Sequence, residues 1–250
     1  MKLISKIKNA YTALFMMLAA MATTSCQTGL EYDDVPESYY TDVNLRSCWV
    51  SSRALFEDCL FAKNYNGGKG EITTAIRQVD FAEDQTSWTN NTGVDYTLAD
   101  GTVVAAGETV TIPVGLSAMT TRDDASAPDG KVYVLTYYVP STVTYTTPNK
   151  GYLFVESKMP SGYTLVDPTD GMSEKAEAPI NTKQLVVTML ASQYLGDATT
   201  FEPQNGAPKL GVPGDFSEPR QYLVKNNMRR PSGVPQTQRL YEVRVVVLPD

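Results

Sequence analysis

The chain has 250 residues, of which 42% are hydrophobic, 10% aromatic and 20% charged, a globular mixture long enough for one large domain or two small ones. Its 28 acidic residues outnumber its 21 lysines and arginines, for a formal charge of −7, so a phosphate backbone meets net repulsion and nucleic acid is not an expected partner. Histidine is absent, which removes Ser-His-Asp and Cys-His nucleophile activation, histidine-ligated zinc and the usual near-neutral general base.

Lys2, Lys6 and Lys8 make a positive start, and residues 10–22 (AYTALFMMLAAMA) follow as an uncharged, mostly apolar run. A membrane-spanning helix needs about 20 apolar residues, and this run has 13. A charged start, a short apolar stretch and a small-residue site read as a secretory signal peptide over residues 1–25. The site ends Ala22-Thr23-Thr24-Ser25-Cys26. That pentapeptide resembles the lipobox of bacterial lipoproteins in its Bacteroidetes form, with Thr23 where leucine is usual. The resemblance implies cleavage before Cys26, acylation of its thiol with chains such as palmitate, and an outer-membrane lipoprotein. Each buried CH2 contributes about 0.8 kcal/mol, so several acyl chains hold a protein durably at a membrane. The alternative is an ordinary signal cleaved nearby, with Cys26 an incidental thiol.

Residues 27–41 (QTGLEYDDVPESYYT) are polar, acidic and interrupted by Pro36, the composition of an extended tether; on this reading the lipidated tether spans residues 26–44. Glu31, Asp33, Asp34 and Glu37 resemble the export signals of Bacteroidetes surface lipoproteins, although they begin five residues past Cys26, later than usual. The resemblance favours the cell surface over the periplasmic face, while a plain solvated linker would have the same composition.

From residue 45 to 250 a single β-sandwich-type domain is expected, with a candidate division near 160–180. Residues 47–62 (SCWVSSRALFEDCLFA) fit either a helical face or two short strands. Residues 71–81, 109–116, 131–147, 151–157, 184–190, 221–224 and 239–248 are rich in Val, Ile, Thr, Tyr and Phe and read as strands. Asp100-Gly101 between residues 94–98 and 102–104 predicts a hairpin, and Pro140 predicts a break in the longest run. Six prolines within residues 199–238, from Pro203 to Pro235, predict ordered surface loop. The last run reads as a strand buried on both faces. With no 10–15-residue amphipathic helix between them, such strands predict a mainly β fold. It should be an antiparallel β-sandwich, immunoglobulin-like or related, with long proline-rich loops.

Cys48 and Cys59 invite a disulfide in an oxidising envelope. A helix would hold them roughly 16 Å apart, beyond the 4.4–6.8 Å a bridge needs, so a bridge requires a bend here. The alternative is two separately buried thiols. The acids at Asp80, Glu83 and Asp84, and at Asp123, Asp124 and Asp129, sit in no catalytic motif. The loop 121–131 lacks EF-hand spacing, so solvated turns are expected for both.

The chain has 15 Tyr and 2 Trp, flat apolar faces with polar edges on which sugar rings stack. Trp88 lies among amides and hydroxyls (QTSWTNN), and Tyr137 and Tyr138 point to opposite faces of a strand. Trp88 and Tyr137 are therefore candidate ligand-binding residues, with burial in the core as the alternative.

Two further resemblances bear on function. Residues 94–98 (VDYTL) followed by 108–115 (ETVTIPVG) resemble the N-terminal β-sandwich of Bacteroidetes surface lipoproteins from glycan-utilisation loci, without the Leu-Pro dipeptide that commonly precedes the second strand. Arg46 stands where the fimbrial subunits of Bacteroidetes are cut to free a groove for a donor strand. The combined expectation is a cell-envelope lipoprotein that binds a surface glycan without catalysis, needing no cofactor or metal. Its partners are the membrane, through the anchor, and polysaccharide or other envelope proteins. A fimbrial or adhesin subunit or assembly component is the alternative.

Overall fold

The computed structural model describes residues 43–62, 70–191, 199–227 and 236–250. In chain order the strands are β1 (Leu45–Ala62), β2 (Ile72–Asp80), β3 (Gln85–Thr89), β4 (Tyr96–Thr97), β5 (Val103–Val104), β6 (Thr109–Pro113), β7 (Thr120–Asp123), β8 (Lys131–Pro140), β9 (Thr142–Thr146) and β10 (Tyr152–Val155). They continue as β11 (Thr164–Leu165), β12 (Met172–Ser173), β13 (Lys175–Pro179), β14 (Leu185–Ala191), β15 (Thr199–Gln204), β16 (Arg220–Asn226) and β17 (Gln238–Leu248). The fold is mainly β, with several antiparallel sheets packed in the manner of a sandwich and no closed barrel. Among the described residues no helix is long and apolar enough to cross a membrane.

The ambiguous segment 47–62 is neither a helix nor two strands but part of one 18-residue strand. β1 changes partners along its length. Its first half pairs with β14 through Ser52, its middle with β2, and its end with β10. Around Val50–Ser52 both faces are covered, so the period-two signal of a half-buried strand is lost. A bulge between Phe56 and Leu60, with Asp58 at a φ of 52°, re-aims the strand. The two halves of β1 consequently serve two cores. Cys48 and Val50 join Leu185 and Val187 of β14 against Leu135, Tyr137, Tyr222 and Tyr241 of the β15–β16–β17–β8–β7 sheet. Phe56, Cys59 and Leu60 pack instead with Val143, Tyr145 and Phe154 in a second core.

Most of the remaining expectations follow their residues. The hairpin at Asp100-Gly101 pairs Tyr96 with Val104 and Thr97 with Val103, and Gly101 takes the left-handed φ of 88° that a tight turn requires. The long run splits at Pro140 into β8 and β9. β17 lies inside its sheet between β16 and β8, but only Tyr241, Glu242, Val243 and Leu248 are buried, so the strand expected to be covered on both faces is half-open along Val245–Val247. It runs parallel to β8, with Leu240 opposite Val132 and Leu248 opposite Pro140, the one parallel pair among the described ladders and a departure from the antiparallel expectation.

The proline-rich stretch also departs from the expected loop. β15 passes straight through Pro203, which is tolerated because β15 is the outermost strand of its sheet. The loop that follows lies along the edge of β14, where Gly211 N–H donates to Val187 O at 2.8 Å and Gly214 N–H to Leu185 O at 2.8 Å. Buried Phe216 anchors it. A sheet edge that would otherwise present unpaired backbone groups is thereby covered.

Candidate functional site

The signal peptide at residues 1–25, the acylation candidate Cys26 and most of the tether lie outside the described residues. Val43 is buried, and its carbonyl accepts the Tyr241 hydroxyl at 3.1 Å. Arg46 is exposed at the first register shift of β1.

The remaining sequence candidates do not form a ligand site. Cys48 and Cys59 are free and buried. Both lie on the same extended strand, so at about 3.3 Å per residue they are on the order of 30 Å apart and cannot be bridged. Burial pushes the Cys48 thiol up to about 12, and burial likewise raises Cys59, so both stay protonated.

Tyr137 is not a surface residue. It is 1% exposed, its hydroxyl donates to the Cys48 carbonyl, and burial raises its pKa. Gly115, with a φ of 59°, abuts that hydroxyl so closely that a Cβ there would stand 2.6 Å from it, which accounts for the glycine after the β6 motif. Trp88 is half-buried rather than an open platform. Its indole N–H donates to Pro249 O at 3.0 Å, and its ring meets Tyr96 edge-on at 5.2 Å. The neighbouring Asn90 is fully buried, donating to Val94 O at 2.8 Å and Val104 O at 2.9 Å. These groups fasten the β4–β5 hairpin and the C-terminus to the core.

Two of the acidic residues cap turns. Asp124 accepts from Ser126 N–H and Oγ, and Asp129 from Lys131 N–H and the Tyr133 hydroxyl. Asp84 accepts from Ser117 Oγ at 3.2 Å. Among the described residues no three metal-ligating side chains come together.

A cleft of 520 Å³ opens instead on the face of the β17 sheet away from Tyr137. Its floor follows from register and alternation. β8 supplies Val134, Thr136 and Tyr138, β17 supplies Arg244, and β7 supplies Thr120 and Arg122. The walls are the 3-10 turn Gly115–Ala118, the end of β6 and Ala99-Asp100 at the hairpin. Tyr138, one of the pair singled out in the sequence, lines this cleft, and its hydroxyl accepts from Ala99 N–H at 2.9 Å.

Beneath the two arginines lies Glu242, 4% exposed. Its Oε1 accepts from Arg244 Nε at 2.7 Å and pairs with Nη2 at 2.6 Å. Its Oε2 accepts from Arg122 Nη2 at 3.1 Å and Gln221 Nε2 at 3.0 Å. Burial by itself would raise this carboxyl, but the donors from Gln221, Arg244 and Arg122 hold it below the ordinary glutamate range. An ionised carboxylate fixed by four donors positions two guanidiniums at the cleft. Nothing in the strand pattern marked it, because Glu242 reads as one polar residue in a valine-rich run and, apart from Arg244 on its own strand, its partners lie on two other strands, β7 and β16.

Residues 94–227 match the family described as DUF5018-related, a span that includes every cleft-lining element except β17. No curated protein matches the chain. Among solved structures, a Bacteroides fragilis protein inferred to be secreted is 16% identical over 66% of this chain and 89% of its own, at a TM-score of 0.26, and a likeness that slight carries no argument.

Proposed function

The chain belongs to the DUF5018-related family, and we propose that it is a lipid-tethered, non-enzymatic binding module of the cell envelope whose ligand is a surface glycan seated in the cleft above Glu242. The observation behind this reading is the cleft itself. It is concave, walled by Ile112, Pro113, Ala118 and Met119, and furnished with hydroxyl, guanidinium and carboxylate groups from Thr136, Arg122, Arg244 and Asp100. Apolar walls with a few fixed polar groups are the general form of a small-ligand site. The buried carboxylate supports binding over hydrolysis, since both its oxygens already accept hydrogen bonds and its depressed pKa makes it a poor proton donor. Membrane attachment through acylated Cys26, on the outer face of the outer membrane, rests on the N-terminal sequence alone.

Two measurements test the reading. Labelled fatty acid should enter the wild-type protein and not Cys26→Ser, which should leave the membrane fraction; equal fractionation without label removes the anchor. The purified chain should be retarded on at least one polysaccharide in affinity electrophoresis; retention by none of a broad panel removes the glycan.

A further inference from the structure

The charge pattern of the cleft narrows the kind of sugar it takes, an inference that rests on the glycan reading above. Two guanidiniums reach the cleft, and two arginines beside a cavity ordinarily suggest an anion site. The surrounding carboxylates argue otherwise. Arg122 pairs with Asp124 at 3.3 Å and Glu242 at 3.1 Å, Arg244 pairs with Glu242 at 2.6 Å, and Asp100 stands on the opposing wall. Two guanidiniums therefore face three carboxylates, on a chain that is acidic overall.

An incoming carboxylate or sulfate would meet no net positive field. To capture a guanidinium fully it would have to draw that group away from Glu242, whose side chain is only 5% exposed, leaving a buried charge short of partners. A neutral hydroxyl faces no such conflict. Each guanidinium has five N–H donors, and the carboxylate pairings leave donors on both. Both side chains remain partly exposed at the cleft, at 45% for Arg122 and 41% for Arg244. Asp100 uses Oδ1 to accept Thr102 N–H at 2.9 Å, which leaves Oδ2 for a ligand hydroxyl. A sugar ring offers hydroxyls that accept from the arginines and donate to the aspartate, with C–H faces for Ile112 and Met119.

We infer that the cleft is selective for neutral sugar residues over uronic acid or sulfated ones, with Arg122 and Arg244 donating to ligand hydroxyls, Asp100 accepting from one, and Glu242 acting as the positioning residue for both guanidiniums.

The test uses the purified full chain, in affinity electrophoresis through neutral gels (xylan, galactan, mannan, dextran) and acidic ones (polygalacturonate, chondroitin sulfate). Arg244→Gln and Asp100→Asn are compared at matched melting temperature; Asp100→Asn keeps the Oδ1 acceptor and lies in an exposed turn, so it serves if Arg244→Gln folds poorly. The expected result is retention on a neutral gel, insensitive to 0.5 M salt and weakened about tenfold by either variant, the loss of one charge-assisted hydrogen bond. Preferential retention on an acidic gel, falling as salt rises, overturns this inference and leaves the glycan reading standing. Neutral retention untouched by both variants overturns the placement in this cleft. Retention on no gel overturns the glycan reading and this inference with it.

Discussion

The second half of β1 differs from the heart of β17 in what it buries. Around Phe56 the interior is aromatic, with Phe154 at 4.7 Å, Tyr163 at 5.2 Å and Tyr145 at 5.6 Å between ring centroids. At the outer face of β17 the buried group is a carboxylate with its retinue of donors. Packing of the first kind removes apolar area from water and is the main source of stability. The second kind contributes little net energy, because desolvating charges offsets most of their attraction. It does fix where two guanidiniums stand. One region holds the fold and the other holds a geometry, and single substitutions should separate the two roles.

The largest effect is expected at the aromatic core. Phe56→Ala empties a fully buried site and should lower unfolding free energy by about 3–5 kcal/mol, measured by urea denaturation. A loss below about 1 kcal/mol would mean that the second core is loosely packed. Glu242→Gln comes next, at about 1–2 kcal/mol, because the arginines it releases are partly exposed and regain water.

The pH dependence of that variant sharpens the comparison. The folded pKa of Glu242 lies below its unfolded value, so its contribution is complete above about pH 4.3, the ordinary glutamate value. It fades as pH falls through the depressed pKa. The gap between wild type and Glu242→Gln should therefore narrow from pH 7 to pH 3, while the Phe56→Ala gap, which involves no titrating group, should hold.

Trp88→Phe should remove about 1 kcal/mol by deleting the indole bond to Pro249 O, with faster amide exchange confined to the end of β17. The smallest perturbation is chemical. A maleimide should label neither Cys48 nor Cys59 in the native protein and both after unfolding without reductant, whereas a disulfide would leave them unlabelled until reduced.

Much of the fold was legible where a local rule decides the outcome. Asp100-Gly101 turns because glycine reaches positive φ, and β8 ends at Pro140 because proline cannot continue a ladder. β1 was not legible, since its side chains answer to three partner strands and two cores in turn and keep no single period. Pro203 misled for a related reason: whether proline breaks a strand depends on whether that strand is at an edge, which its neighbours decide. The cleft was the least visible feature. Trp88 and Tyr137 were prominent by residue type but turned inward, whereas Glu242, Arg122 and Arg244 carry no local motif.

From the residues alone follow the strand-forming runs, the turn positions, the exclusion of histidine chemistry and the expectation of an acylated Cys26, all set by side-chain chemistry acting within a few residues. The tertiary structure decided which aromatics lie inside, that both thiols remain free, that β17 runs parallel to β8, and that three strands bring two guanidiniums and a buried carboxylate to one cleft. Burial and charge pairing are properties of residues far apart in sequence, and they exist only once long-range strand registers bring those residues together.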